Sequence, residues 1–127
     1  MSNEDFFPED PFIRALTPED FNEKVPWTLD GKGCMAVLFY CAWCPHCQNF
    51  KETWKRISKR MGEIQIASFN CAKYSQYQQN AINRGSELVR GYPTIVFYSN
   101  GVPRMTYKED RAESVIFKAI MDFCNSK

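Results

Sequence analysis

Histidine is almost absent from this 127-residue chain; the one present is His46. With a single imidazole, the scattered cysteines make a poor zinc set, because structural zinc takes four closely spaced Cys or His ligands. Charge excess is missing too. Sixteen basic and fifteen acidic side chains leave a net charge of +1. That is too little to draw the chain to nucleic acid or to an anionic membrane surface. No apolar run reaches the ~20 residues of a membrane-spanning helix. The opening MSNEDFFPEDPF lacks the basic and apolar regions of a leader peptide, and the closing DFCNSK lacks a retention tetrapeptide. A cytoplasmic protein is the expectation.

Cysteine, by contrast, is plentiful: there are six. In a reducing compartment most should be free thiols. Only Cys44 and Cys47 have a spacing that says more. They sit in WCPHC, with Trp43 before them and Pro45 and His46 between.

The length fits one domain, and the pattern along the chain assigns its parts. Residues 1–11 carry four acids and two prolines and read as a flexible acidic arm, with Phe6 and Phe7 able to dock locally. A single domain follows over 12–127. FIRAL (12–16) is a short strand. TPED (17–20) starts a helix, with Thr17 as N-cap and Pro18 at the first helical position, running to about Val25. MAVLFY (35–40) is a continuous apolar run, as in a strand buried on both faces. Phe50, Trp54, Ile57 and Met61 then recur at helical spacing, with cations between. EIQIASFN (63–70) is a strand, and the polar stretch 74–89 holds one or two helical turns. PTIVFYSN (93–100) is a strand ending in Asn100-Gly101, a hairpin signal, and VPRMTYK (102–108) returns along an edge that suits Pro103. Val115, Ile116, Ala119, Ile120 and Phe123 mark a final amphipathic helix. Strands alternating with helices imply an α/β fold with helices on both faces of a mixed five-stranded sheet. The dithiol falls just past the end of the buried strand, where open α/β sheets place their sites.

That position has chemical consequences. A cysteine at a helix N-terminus faces unpaired N–H groups and the positive end of the helix dipole, which favour its thiolate. Cys44 is therefore the candidate nucleophile. Cys47, one turn on, is placed to resolve a mixed disulfide. His46 beside them adds positive charge when protonated. It would stabilise the Cys44 thiolate and make the disulfide more oxidising. Pro45 fits the first helical turn. Cys41 extends the run to C-x2-C-x2-C, a spacing also seen in iron–sulfur ligation, but no fourth ligand matches it.

VLFYCAWCPHC (37–47), FNCAK (69–73), VRGYPTIVFYSNG (89–101) and YKEDR (107–111) together resemble thioredoxin-fold proteins, most nearly the catalytic domains of protein disulfide isomerases. The match covers roughly residues 12–125. The resemblance implies that Pro93 is a cis-proline whose loop, with Tyr92 and Thr94, faces the dithiol and binds an extended peptide. It also implies an apolar rim of Trp43 and Tyr92, a small buried Cys71, and an Arg111 that aids proton removal from Cys47. His46 has isomerase counterparts, and CPHC is similar to the motif of strongly oxidising periplasmic enzymes.

Three departures stand out. The family's buried acid is replaced by Leu38, its partner lysine by Ser68, and its helix-kinking proline by Glu52. Without the acid, Cys47 should lose its proton slowly. The expectation is thus a thiol–disulfide oxidoreductase, oxidase- or isomerase-like rather than a reductase, with no cofactor and no metal. Its substrates would be protein thiols and disulfides, with an unidentified redox partner protein, acting as a monomer. A cytosolic disulfide pathway of the kind some large DNA viruses encode, including a place in the virus particle, fits the same features. The alternative is a binding or scaffold module that uses the Tyr92-Pro93 groove with turnover incidental. Cys34 and Cys124 are expected to serve packing.

Overall fold

The computed structural model describes residues 3–125; the ends of the expected arm (1–2) and domain (126–127) lie outside them. The strands are β1 (Arg14–Leu16), β2 (Cys34–Tyr40), β3 (Gln65–Asn70), β4 (Thr94–Ser99) and β5 (Val102–Tyr107). The helices are α1 (Pro45–Ser58), α2 (Ser75–Asn83) and α3 (Glu113–Asn125). One mixed sheet runs in the order β1-β3-β2-β4-β5. β2 lies at its centre, parallel to β3 and antiparallel to β4.

The side-chain alternation of β2 divides the interior. Ala36, Leu38 and Tyr40 face one core with Cys47, Phe50, Trp54 and Ile57 of α1 and with Ile116 and Ile120 of α3. Met35, Val37 and Phe39 face the other, with Trp27, Phe69 and Ala81 of α2. Both faces are covered, which is why this strand reads as an unbroken apolar run. The Trp54 indole N–H donates to the Ala67 carbonyl at 3.3 Å, pinning α1 to β3. Arg56 Nε meets Glu113 Oε1 at 2.7 Å and joins α1 to α3. α1 continues unbroken past Glu52, where the family's proline would stand. At the β4–β5 hairpin, Asn100 (φ 51°) and Gly101 (φ 82°) both take left-handed backbone. A side chain at Gly101 would run into the Leu29 carbonyl at 1.9 Å.

Three expectations need correction. The first helix is a single 3-10 turn, Pro18–Asp20. Phe21 bridges to Leu29, and Asn22 N–H donates to the Thr28 carbonyl at 2.7 Å, so the chain folds back before a helix can propagate. Val115 is 41% exposed, whereas Ile116 is buried. The arm docks through Phe6 and Phe7, as the sequence allowed, and both are buried in the core beside Tyr40. The Phe6 ring stacks on Tyr40 at 4.3 Å, Phe6 N–H donates to the Tyr40 hydroxyl at 3.0 Å, and Asn70 Nδ2 donates to the Asn3 carbonyl at 2.9 Å. Finally, Cys34 and Cys124 are disulfide-bonded to each other, with Cα atoms 5.6 Å apart. They tie the start of β2 to the end of α3.

Candidate active site

Strand β2 ends at Tyr40 and hands the chain to a tight turn. Cys44 N–H donates to the Cys41 carbonyl at 3.0 Å and closes that turn. Cys44 keeps an extended backbone (φ −82°, ψ 124°) and forms the N-cap of α1, with Pro45 at the first helical position. Its carbonyl accepts the Gln48 N–H at 3.0 Å, the opening bond of the helix ladder. Cys44 thus lies where helix N–H groups are unpaired and the dipole is positive. It is half-buried, whereas Cys47, one turn on, is only 1% exposed. Both are free thiols.

Cys47 is tightly held. Its sulfur accepts the Cys41 N–H at 3.4 Å, and the Cys44 side chain lies beside it. Burial pushes the Cys47 thiol up to about 12, and the neighbouring thiols of Cys44 and Cys41 add to the rise. No carboxylate is among the groups acting on it. The reason is visible one strand away. Leu38, 1% exposed, packs in the same core, and Ser68 sits opposite it in register. Glu52 is exposed on α1 and does not take over the missing acid's place.

The remaining expected residues surround this pair unequally. Trp43 is 47% exposed and stands as a rim, with Pro45 and His46 exposed beside it. The Tyr92-Pro93 bond is cis. Tyr92 is half-buried and packs against both cores, so it contributes less rim than expected. Its hydroxyl donates to Gln78 Oε1 and also faces the Cys71 sulfur. It lies near enough to Cys41 for the two groups to feel each other's charge, which brings the proline loop to the dithiol turn. Thr94 Oγ1 donates to the Gly91 carbonyl at 2.7 Å and braces that loop. Cys71 is buried, and burial drives its thiol well above the ordinary cysteine range. Arg111 is exposed and lines a pocket of about 220 Å³ with Pro93, Ile95 and Tyr107. It reaches the proline loop, but its guanidinium is not among the groups acting on Cys47. Among the described residues, no three His, Cys, Asp or Glu side chains converge as a metal set, and no helix is long and apolar enough to cross a membrane.

Sequence reasoning missed the role of Tyr40. It shares a core with Cys47 and anchors the N-terminal arm through its hydroxyl. Its position on the Leu38 face of β2, two residues on, was a usable signal.

These features have known counterparts. The family profile described as thioredoxin matches residues 12–122. DnaJ homolog subfamily C member 10 of Pongo abelii is 33% identical over 114 residues, covering 89% of this chain and 13% of that protein. Protein disulfide-isomerase MPD1 of Saccharomyces cerevisiae is 30% identical over 96 residues, covering 75% of this chain and 28% of that protein. The chain therefore spans a small part of the curated relatives it matches. Among solved structures, the J-Trx1 fragment of ERdj5 agrees in fold with a TM-score of 0.76 at 23% identity, covering 95% of this chain and 56% of that one. The Trx4 domain of ERdj5 gives a TM-score of 0.67 at 26% identity, covering 91% of this chain and 97% of that one. With residues 12–122 matched and the same five-stranded sheet around a CPHC turn, the chain belongs to the thioredoxin family, in the company of the thioredoxin domains of protein disulfide isomerases and ERdj5.

Proposed function

We propose that this domain exchanges disulfides with protein thiols, Cys44 acting as nucleophile and Cys47 as resolving thiol. One observation carries the reading: a half-exposed Cys44 caps α1 while a buried Cys47 touches it from one turn below. The asymmetry suits the chemistry. The outer sulfur meets the substrate, and the inner one is reached only after a mixed disulfide has formed. A peptide extended along the Tyr92-Pro93 loop would present its disulfide to Cys44, with Trp43 as an apolar contact. The name of the yeast relative, a protein disulfide-isomerase, supports the same class of reaction.

The direction we favour is donation or isomerisation of disulfides rather than reduction. Cys47 is held protonated by burial and has no carboxylate to take its proton. Resolution is then slow and the mixed disulfide long-lived. That hinders rapid reduction but gives a substrate time to rearrange. His46 is exposed beside Cys44, where a positive charge, when it is protonated, would favour the reduced form. Equilibration with glutathione buffers tests this, with insulin-disulfide reduction run alongside. The reading expects a potential nearer about −180 mV than about −270 mV and poor insulin turnover. A reducing potential with brisk insulin reduction would reverse the direction. No exchange at all would favour a binding module that uses the proline groove.

A further inference from the structure

One sulfur of the site has no part in the exchange described above. Cys41 is 2% exposed, is a free thiol and belongs to neither apolar core. The 41–44 turn is closed by the 3.0 Å bond from Cys44 N–H to the Cys41 carbonyl. A turn of that kind holds its end Cα atoms within about 7 Å. That overlaps the roughly 4.4–6.8 Å over which two cysteines can be bridged. Burial pushes the Cys41 thiol above the ordinary cysteine range, and the backbone N–H groups of Trp43 and Cys44 act against that rise. Cys41 N–H itself donates to Cys47 Sγ at 3.4 Å. Three thiols therefore share one turn.

We propose that Cys41 is a second resolving thiol, which attacks the Cys44 sulfur of a mixed disulfide and closes a Cys41–Cys44 bond. The inference rests on Cys44 being the nucleophile, as proposed above. The step balances without an added oxidant. The Cys41 thiolate forms the new S–S bond, the Cys44–substrate S–S bond breaks, and the substrate sulfur leaves as a thiolate that takes up the proton Cys41 gave to solvent. Cys41 is oxidised and the substrate sulfur is reduced. A Cys47 thiol attacking the new bond then moves the disulfide to Cys44–Cys47 and returns Cys41 to the thiol state. The second route has a use here, because Leu38 leaves Cys47 without a proton acceptor.

Cys47→Ala isolates the step. Reduced Cys47→Ala protein is treated with oxidised glutathione and followed by intact mass and disulfide mapping. Attack by Cys44 first adds one glutathione. Resolution by Cys41 then removes it, leaving a Cys41–Cys44 bond. The inference expects the adduct to disappear in Cys47→Ala and to persist in Cys41→Ser/Cys47→Ala. A persistent adduct in both proteins overturns the role of Cys41 and leaves the nucleophile standing. Loss of the adduct through a Cys44–Cys71 bond overturns it as well. An absence of adduct in both proteins, with no Cys41–Cys44 bond in the single variant, overturns the nucleophile and this inference together. The mapped bond in Cys47→Ala is decisive even if the double variant folds poorly.

Discussion

Two pairs of cysteines sit at opposite ends of β2, and they have opposite characters. Cys34 opens the strand and is bonded to Cys124, 90 residues away in sequence. Cys44 and Cys47 lie just past the strand's other end, three residues apart, in contact but unbonded. The first pair adds a covalent tie between the start of a central strand and the last turn of α3, two elements that already share an apolar core. Its effect is to restrict the unfolded chain. The second pair joins nothing that the helix does not already hold. Its sulfurs differ in exposure, and that difference is what an exchange reaction uses.

The largest effect should come from Cys44→Ala. It abolishes exchange with glutathione and insulin but leaves the melting temperature nearly unchanged, since a half-buried sulfur carries little packing. The mirror experiment, Cys34→Ala/Cys124→Ala, should lower stability by about 2–4 kcal/mol, read by denaturant unfolding, and leave the glutathione equilibrium of Cys44–Cys47 in place. Should the double variant also lose exchange, the two ends of β2 are coupled and the contrast drawn above is wrong.

Leu38→Glu sharpens the account of the slow step. A carboxylate next to Cys47 gives its proton an acceptor, so mixed disulfides should resolve faster in stopped-flow. The unpaired buried charge should cost about 3 kcal/mol of stability. Ser68→Lys, opposite it in register, should recover part of that cost.

The smallest effect is a pH dependence. The Cys47 pKa is raised to about 12 in the folded protein, against roughly 8.5 when unfolded. Its contribution to stability is therefore complete below about pH 8.5 and is lost as pH rises toward about 12. Urea midpoints of the reduced protein should fall over that window, and less steeply in Cys47→Ala. Burial of Cys71 and Tyr92 acts in the same direction in both proteins, so the difference between the two curves is the quantity to read.

The same contrast explains what the sequence could reveal. The dithiol was legible because every rule it obeys is local: an apolar strand, a turn, a proline at the first helical position and a cysteine one turn on. The five strands were legible for similar reasons, each marked by an apolar run or by Asn100-Gly101. The Cys34–Cys124 bond was not, because its partners meet only after the sheet has formed and α3 has packed across it. The arm was legible only in part. Its acids and prolines suggest disorder, but Tyr40 offers both a ring and a hydroxyl to Phe6. The helix expected after Thr17 failed because Phe21 found a partner in Leu29. Arg111 is a mixed case. Its spacing from Tyr107 marked it in the sequence, and it lines a pocket with Pro93, Ile95 and Tyr107.

The most direct test maps both cysteine pairs in one sample across a series of glutathione ratios. The account predicts that Cys44–Cys47 passes from thiol to disulfide within the series, at the oxidising end, while Cys34–Cys124 stays bonded throughout. An inert Cys44–Cys47 pair beside a Cys34–Cys124 bond that opens and closes with the buffer would contradict it.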